Sequence, residues 1–305
     1  MSRHALLFGA SGFIGAHVRA ALEEESSVEW VTSVGRDRCD LTAATVDDLT
    51  SLLRELTPNV VVNCTGRLDG TGYELMQANT MVAAKLIDAV ERADRTIRLV
   101  RLGSAGEYGR VPAGRSVTED DPAVPVSGYG LSHLAATRLL EFAGASGRVD
   151  GVTLRVFNPI GSGLRGETLL GRAVGRLRDA LADGADAITM GPLSAYRDFV
   201  DARDVATAVV AATRVPSLPV RVVNVGSGRA VTAREAVDLL AHAAGFTGEV
   251  REEGAPSARS AAVDWIRADI TRAAEVLGWR PTHDLTDSVQ AMWTARATAG
   301  VGGHR

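Results

Sequence analysis

Lysine is almost missing from this chain. Lysine and arginine together number 33, yet Lys85 is the sole lysine and every other member of that set is arginine. The skew fits a GC-rich coding sequence and has little meaning until a motif asks for lysine. Cysteine is scarce too. Cys39 and Cys64 stand apart, with no CxxC and no Cys/His ligand spacing around them, which excludes a disulfide framework and a structural zinc site. Both read as reduced thiols. There is no basic excess: 33 basic residues face 37 acidic ones for a net charge of −4, so no basic face is offered to nucleic acid. Long apolar runs are also absent. Ala5–Phe8 is too short for a signal peptide and nothing downstream reaches membrane-spanning length, so the expected compartment is the cytosol and no membrane partner is expected. What remains is a folded composition, 46% hydrophobic and 23% charged over 305 residues, with enough chain for a large core.

Short β-branched apolar runs alternate with helical patterns. Ala5–Phe8, Val28–Val34, Val60–Asn63, Arg98–Leu102, Val152–Val156 and Val222–Val225 have the continuous apolar character of strands buried on both faces. Ile14–Glu24, Val46–Leu56, Thr80–Arg92 and Leu131–Phe142 carry apolar residues at three- and four-residue spacing, as amphipathic helices do. Strand and helix in alternation predict an α/β fold with a doubly wound parallel sheet. Two regions break the rhythm. Arg110–Gly128, with Pro112, Pro122, Pro125 and the acidic run Glu119-Asp120-Asp121, is loop chemistry ahead of a helix. Beyond Gly161, and again beyond Thr232, helices come without strong strands. The expected organisation is a dinucleotide-binding domain at 1–160, rejoined by 198–230, with a smaller, mainly helical C-terminal substrate lobe at 161–197 and 231–298 and a flexible tail at 299–305.

Directly after the first strand, Gly9-Ala10-Ser11-Gly12-Phe13-Ile14-Gly15 forms a GxxGxxG loop opening a helix. Its glycines allow a tight turn, close backbone approach to a pyrophosphate and close helix-to-strand packing, the anion lying at the helix N-terminus. A strand-to-helix junction is the context such a loop needs, and it makes the sheet Rossmann-type. About 20 residues further on, where an NAD site places a carboxylate, this chain has Gly35-Arg36 with Arg38 following. A guanidinium there suits a 2′-phosphate, so NADP(H) is the expected cofactor. In the other reading Arg36 is a solvated loop charge, and Asp37 or Asp40 serves NAD.

Further motifs recur in order: Asp40-Leu41, Asn63 to Gly66, Asn79, Ser104-Ala105-Gly106-Glu107-Tyr108-Gly109, Arg155-Val156-Phe157-Asn158-Pro159, Arg197-Asp198-Phe199-Val200, Asn224-Val225-Gly226-Ser227-Gly228 and Leu277-Gly278-Trp279. With them the chain resembles, over nearly its whole length, the extended short-chain dehydrogenase/reductase superfamily, its NAD(P)-dependent epimerase/dehydratase group. The serine-containing run is similar to that of the GDP-4-keto-6-deoxymannose reductases. The resemblance implies cofactor contacts from Gly9, Ser11, Gly12, Phe13, Ile14, Gly15, Arg36, Arg38, Asp40, Leu41, Cys64, Thr65, Gly66, Asn79, Tyr129, Phe157 and Asn158. It implies substrate contacts from Ser104, Glu107, Asn158, Arg197 and Arg259, the two arginines meeting a nucleotide-sugar diphosphate. Glu107 reads either as a pocket residue or as a capping carboxylate. The resemblance also implies a homodimer through the helices of Thr80–Arg92 and Leu131–Phe142.

The family's catalytic motif is YxxxK, and the matching stretch is Tyr129-Gly130-Leu131-Ser132-His133. In the family pattern the tyrosine gives a proton to the developing alkoxide, the serine, here Ser104, holds the carbonyl oxygen, and the lysine lowers the tyrosine pKa while holding the nicotinamide ribose. Spacing by four puts Tyr129 and His133 on one helical face. Protonated, His133 would supply a weaker, pH-sensitive version of the lysine's field, given an ordinary histidine pKa of about 6.5. Neutral, it would only hydrogen-bond. As a helix-surface residue it would do neither. The proton then comes from Tyr129, from water or from the substrate's own hydroxyl.

The acidic pair of the family's dehydratases is replaced by Ala105 and Gly106, which argues against dehydration. No GxSxG nucleophile elbow is present, and the six histidines show no paired metal spacing, so no metal site is expected. The resulting expectation is an NADPH-dependent ketoreductase of a specialised-metabolite, antibiotic or deoxysugar pathway, its substrate a 4-keto sugar nucleotide or an aromatic polyketide-type ketone. The alternatives are an NAD-dependent sugar-nucleotide epimerase and a non-catalytic NADP(H)-binding redox sensor.

Overall fold

The computed structural model describes residues 3–254 and 263–295. Six parallel strands form the central sheet: β1 (Arg3–Phe8), β2 (Val28–Val34), β3 (Val60–Asn63), β4 (Arg98–Ser104), β5 (Asp150–Val156) and, late in the chain, Val222–Val225. The last of these pairs with β5, and the spatial order continues through β4, β3 and β1 to β2. These are the six runs predicted as strands, lengthened by up to two residues at an end; β2, at the sheet edge, departs from the expected burial on both faces, with Glu29 and Trp30 exposed. Because successive side chains on a strand point to opposite faces, Leu7, Val62, Val100 and Leu154 build one core and Leu6, Phe8, Val61 and Leu99 the other.

Helices cover both faces. α1 (Phe13–Glu24) packs with the later helix Ala202–Arg214 on the first core. α2 (Val46–Leu56), α3 (Gly72–Leu75), which runs on through a π-helical stretch at Met76–Met81 into α4 (Val82–Glu91), and α5 (Gly128–Ala145) lie on the other side. Side chains cap most of them. Thr45 accepts from the Asp48 amide and Ser127 from the Gly130 amide. The chain thus forms a Rossmann-type α/β fold. It passes from β1 to β2 on one side and returns to β3 on the other, and the crevice at that reversal is where doubly wound sheets bind their ligands.

The remaining residues form a third core. α6 (Leu169–Asp183), α8 (Ala233–Ala243) and α10 (Leu285–Thr294) enclose Leu170, Leu177, Val237, Leu240, Val289 and Met292, with α7 denoting Ala202–Arg214. Strands are present here as well: Ala187–Met190 pairs with Glu249–Glu252 over four residues, too briefly to register as an apolar run. The segment around α9 (Thr271–Leu277) does not join this core; Ala273, Leu277 and Trp279 pack with the sheet side chains of the first. Trp279 Nε1 donates to the Asp204 carbonyl of α7 at 3.1 Å. Among the described residues no helix is long and apolar enough to cross a membrane.

Candidate active site

The glycine loop meets β3 at the reversal point. Gly9 has φ +84°, and a Cβ there would lie 2.9 Å from the Cys64 carbonyl carbon. A Cβ on Gly15 would lie 1.9 Å from the Gly9 carbonyl oxygen, so only glycine lets α1 approach the loop this closely. α1 begins with Gly12 at its N-cap, without a side-chain cap and without an acidic residue in its first turn. Its leading amides therefore face the crevice with no carboxylate competing for them, which is the donor set a pyrophosphate requires. Phe13 flanks this end of the helix beside Gly163, and His17 Nε2 lies 3.0 Å from the Ser162 carbonyl.

At the end of β2, Arg36 and Arg38 diverge. Arg36 is exposed, and its charge is one of the influences lowering the Asp40 carboxyl, after the hydrogen bonds from Thr42. Arg38 turns to α2 and pairs with Glu55 at 2.7 Å. Asp40 folds onto the Thr42 amide and hydroxyl at 2.9 and 2.7 Å. Leu41 offers its carbonyl to Lys85 Nζ at 2.5 Å, and the same ammonium donates to Thr42 and Ala44 at 3.1 and 2.7 Å. The chain's single lysine is therefore a tripod under this loop, not a replacement for a catalytic lysine.

Beyond β3, Thr65 donates through its amide and hydroxyl to Asn63 Oδ1 at 3.0 and 2.6 Å. Cys64 is a neutral thiol, its pKa pushed up to about 12 by burial. Asn79 is buried; its Oδ1 accepts from the Arg67 amide at 2.8 Å, and its Nδ2 donates to the Arg67 carbonyl at 3.0 Å and to Ser132 Oγ at 2.9 Å. Both amide hydrogens are engaged within the protein, so Asn79 fixes the loop around Gly66 against α5.

Ser104 ends β4, its Oγ accepting from the Gly106 amide at 3.1 Å. Tyr129 stands in the first turn of α5. A side-chain carbon at Gly106 would lie 3.3 Å from Ser104 Oγ and 3.5 Å from the Tyr129 ring, so serine and tyrosine flank the same glycine. That closeness depends on Gly130, where a Cβ would lie 2.2 Å from the Gly106 carbonyl oxygen. The His133 ring centroid lies 4.6 Å from that of Tyr129. His133 is buried, and its Cε1 and Nε2 lie 3.9 Å from the point a Gly66 Cβ would occupy. This corrects two of the three readings of His133. It is not a surface residue, and it is not a cation near neutrality, because burial and the neighbouring Arg101 guanidinium bring its pKa down to about 3.

Beneath these residues lies a buried polar cluster that sequence reasoning missed. Arg101 Nη1 donates to Thr137 Oγ1 at 3.0 Å and Thr153 Oγ1 at 3.4 Å, while its Nη2 lies 3.4 Å from His133 Nδ1. Arg155 Nε donates to Glu107 Oε2 at 2.8 Å, as does Thr137 Oγ1, also at 2.8 Å. Arg155 also stacks over Tyr108, whose hydroxyl donates to Asn224 Oδ1 at 2.7 Å. Glu107 is fully buried and accepts from the Ser104 amide at 3.0 Å. Of its two expected roles it takes the capping one, which here includes a buried ion pair, and it does not line the cleft. Phe157 is likewise fully buried, against Tyr108. The one signal available beforehand was an arginine inside each of two otherwise apolar strands.

On the lobe side, Asn158 Nδ2 donates to the Asp198 carbonyl at 3.1 Å. The fully buried Asp198 takes amide hydrogens from Ser227, Gly228 and Ala268 at 2.7, 3.0 and 2.9 Å, which holds the strand of Arg197 to the sheet edge. Burial brings the Arg197 pKa below its ordinary value, with Asp264 opposing. Arg259 and the expected 299–305 tail lie outside the described residues, and among those described no cluster of three or more metal-ligating side chains occurs.

Comparison with known proteins agrees with this geometry. The family model "NAD dependent epimerase/dehydratase family" matches residues 5–226. The dTDP-6-deoxy-L-talose 4-dehydrogenase (NAD(P)(+)) of Kitasatospora kifunensis is 39% identical over 97% of this chain and 96% of its own. The structure of RMD from Pseudomonas aeruginosa complexed with NADPH superposes with a TM-score of 0.83 at 24% identity, covering 96% of this chain and 99% of that one. MoeE5 in complex with UDP-glucuronic acid and NAD gives a TM-score of 0.80 at 25% identity over 95% and 97% of the two chains. The chain belongs to the NAD-dependent epimerase/dehydratase family, the extended short-chain dehydrogenases/reductases, and is a nicotinamide-cofactor enzyme of that group.

Proposed function

We propose that the protein is an NADP(H)-dependent oxidoreductase that reduces the 4-keto group of a nucleoside diphosphate-linked 6-deoxyhexose to an alcohol. The observation that carries this reading is the convergence of Ser104 and Tyr129 on Gly106, at the same carboxyl edge of the parallel sheet as the glycine loop. The relative named for a 4-dehydrogenation of a dTDP-linked 6-deoxy sugar, similar from end to end, supports the substrate class and position. It favours a sugar nucleotide over an aromatic ketone.

The cradle fits the cofactor. The uncapped start of α1, from Gly12 through Ile14 with Ser11 before it, receives the pyrophosphate. Arg36 meets the 2′-phosphate, with Arg38 held back by Glu55; Asp40 and Leu41 border the adenine, and Cys64, Thr65 and Gly66 line the next stretch. Asn158 borders the nicotinamide side, and Asn79 acts by holding the Gly66 loop. When bound, the cofactor supplies the hydride that reduces the ketone carbon. Ser104 Oγ donates a hydrogen bond to the ketone oxygen, and Tyr129 passes its proton to that oxygen as charge develops there. Neutral His133 stands where the family lysine would, with an imidazole edge facing Gly66. Arg197, with Arg259, holds the substrate diphosphate. Residues 161–197, 231–254 and 263–295, apart from the sheet-packed stretch around α9, form the substrate lobe. Exposed Leu131, Leu139 and Phe142 on α5 and Met81, at the end of the π-helical stretch before α4, provide the surface for a homodimer.

The test is incubation of the purified protein with NADPH and a dTDP-4-keto-6-deoxyhexose, with product identified by mass and NMR. Stoichiometric loss of NADPH with formation of the 4-hydroxy sugar is expected. Interconversion of 4-epimeric sugar nucleotides without net cofactor turnover would replace the reductase reading with an epimerase, and saturable NADPH uptake without turnover of either substrate would leave a binding protein.

A further inference from the structure

The polar cluster under the site is charged, and its charges do not cancel. The carboxylate of Glu107 is paired directly with Arg155 at 2.8 Å. Arg101 has no such carboxylate. Its guanidinium, on β4, is buried and meets two threonine hydroxyls and His133, and Thr137 is what separates it from Glu107. Burial lowers the Arg101 pKa from its ordinary value, and the ionisable groups whose charge acts on it are Glu107, Tyr129 and Arg155; His133 on α5, which touches it, is neutral near pH 7. One negative and two positive charges, Glu107 against Arg101 and Arg155, leave this cluster at +1, beside a tyrosine whose ionised form would bring it to zero.

The same contact fixes the imidazole. A guanidinium carries donors only, so the ring nitrogen facing it accepts, and the hydrogen of neutral His133 sits on Nε2, the atom facing Gly66. Histidine and arginine thus divide between them two tasks that one lysine performs elsewhere in the family: a donor at the cofactor side and a positive charge near the tyrosine.

We propose that Arg101 is a positioning residue for the proton-transfer step: through His133 it sets the Nε2–H tautomer and supplies the positive charge that lowers the Tyr129 pKa. This rests on Tyr129 as the acid, but it is testable on the protein without substrate.

The experiment is a near-ultraviolet titration of phenolate, with the difference between the wild-type and Tyr129→Phe curves isolating Tyr129. Wild-type Tyr129 should ionise below the ordinary value of about 10, and Arg101→Met should raise it by about one pH unit or more, a tenfold change in proton affinity. Arg101→Lys, which keeps the charge, should restore most of the shift, as should Arg101→Met combined with His133→Lys. An unmoved Tyr129 midpoint in a folded Arg101→Met protein overturns the proposal. Should that variant not fold, the wild type decides through the imidazole ¹⁵N resonances: a neutral Nε2–H tautomer between about pH 5 and 8 is expected, and an Nδ1–H tautomer or a histidine titrating in that range overturns it. In an active enzyme the tyrosine-dependent limb of the kcat/KM profile moves with the titration. A midpoint that responds to Arg101 in a protein inert toward every sugar nucleotide would sink the functional reading and leave this one standing.

Discussion

Arg155 and Glu107 form an ion pair of 2.8 Å in which the two side chains are 2% and 0% exposed. Burial pulls the Arg155 pKa down, but Glu107 and Tyr108 outweigh it and the net shift is upward. The pair sits directly under Ser104, whose amide hydrogen Glu107 accepts.

Removing one partner of a buried pair leaves the other uncompensated, at a typical cost of about 3–5 kcal/mol. Glu107→Gln should therefore lower unfolding stability by an amount in that range, because it strands the buried Arg155 guanidinium. Urea unfolding at neutral pH measures it. A loss under about 1 kcal/mol, in the range of an exposed pair, would show that the charges are not desolvated as the structure has them.

His133 should make the protein acid-sensitive. In the unfolded chain a histidine takes up its proton near pH 6.5, in the fold only near 3. Between these values the unfolded state binds more protons, so stability rises with pH. The contribution is complete above about 6.5 and is lost progressively as pH falls toward 3, at up to about 1.4 kcal/mol per unit. Between pH 7 and pH 5 the wild type should lose about 2 kcal/mol more than His133→Asn does. Parallel losses in urea titrations of the two proteins would place the titrating group elsewhere.

Cofactor choice should follow Arg36. A charge-assisted contact to a 2′-phosphate is worth about 1.5–3 kcal/mol, so Arg36→Ala should weaken NADPH binding about 10- to 100-fold and leave NADH affinity unchanged. Fluorescence titration with both reduced cofactors reads the difference. An equal effect on the two would remove Arg36 from the 2′-phosphate, as would a wild-type preference for NADH.

The sheet was legible because a strand buried on both faces tolerates little but apolar residues, and Val60–Asn63 or Val222–Val225 has no other reading at that length. The glycine loop was legible because its spacing is mechanical. The helix carrying Asn79 was read from Thr80, although helical structure begins at Gly72, where Gly72, Tyr73 and Glu74 have no apolar period and a π-helical stretch shifts the phase. Arg101 escaped notice for a physical reason. Its strand predicts burial while its side chain predicts solvent, and only the fold brings Thr137, Thr153 and His133 to within hydrogen-bonding reach of the guanidinium. The state of His133 was equally hidden, since spacing by four gives its face but neither its burial nor its charged neighbour.

The tripod under Leu41, Thr42 and Ala44 bears on how this protein can be studied chemically. Since Lys85 Nζ is held by three carbonyls and is the only side-chain amine in the sequence, acylating or methylating reagents find no other lysine to modify. Its labelling rate, read from the mass of the Lys85 peptide, becomes a built-in gauge of how often the loop of Leu41, Thr42 and Ala44 lifts away from α4.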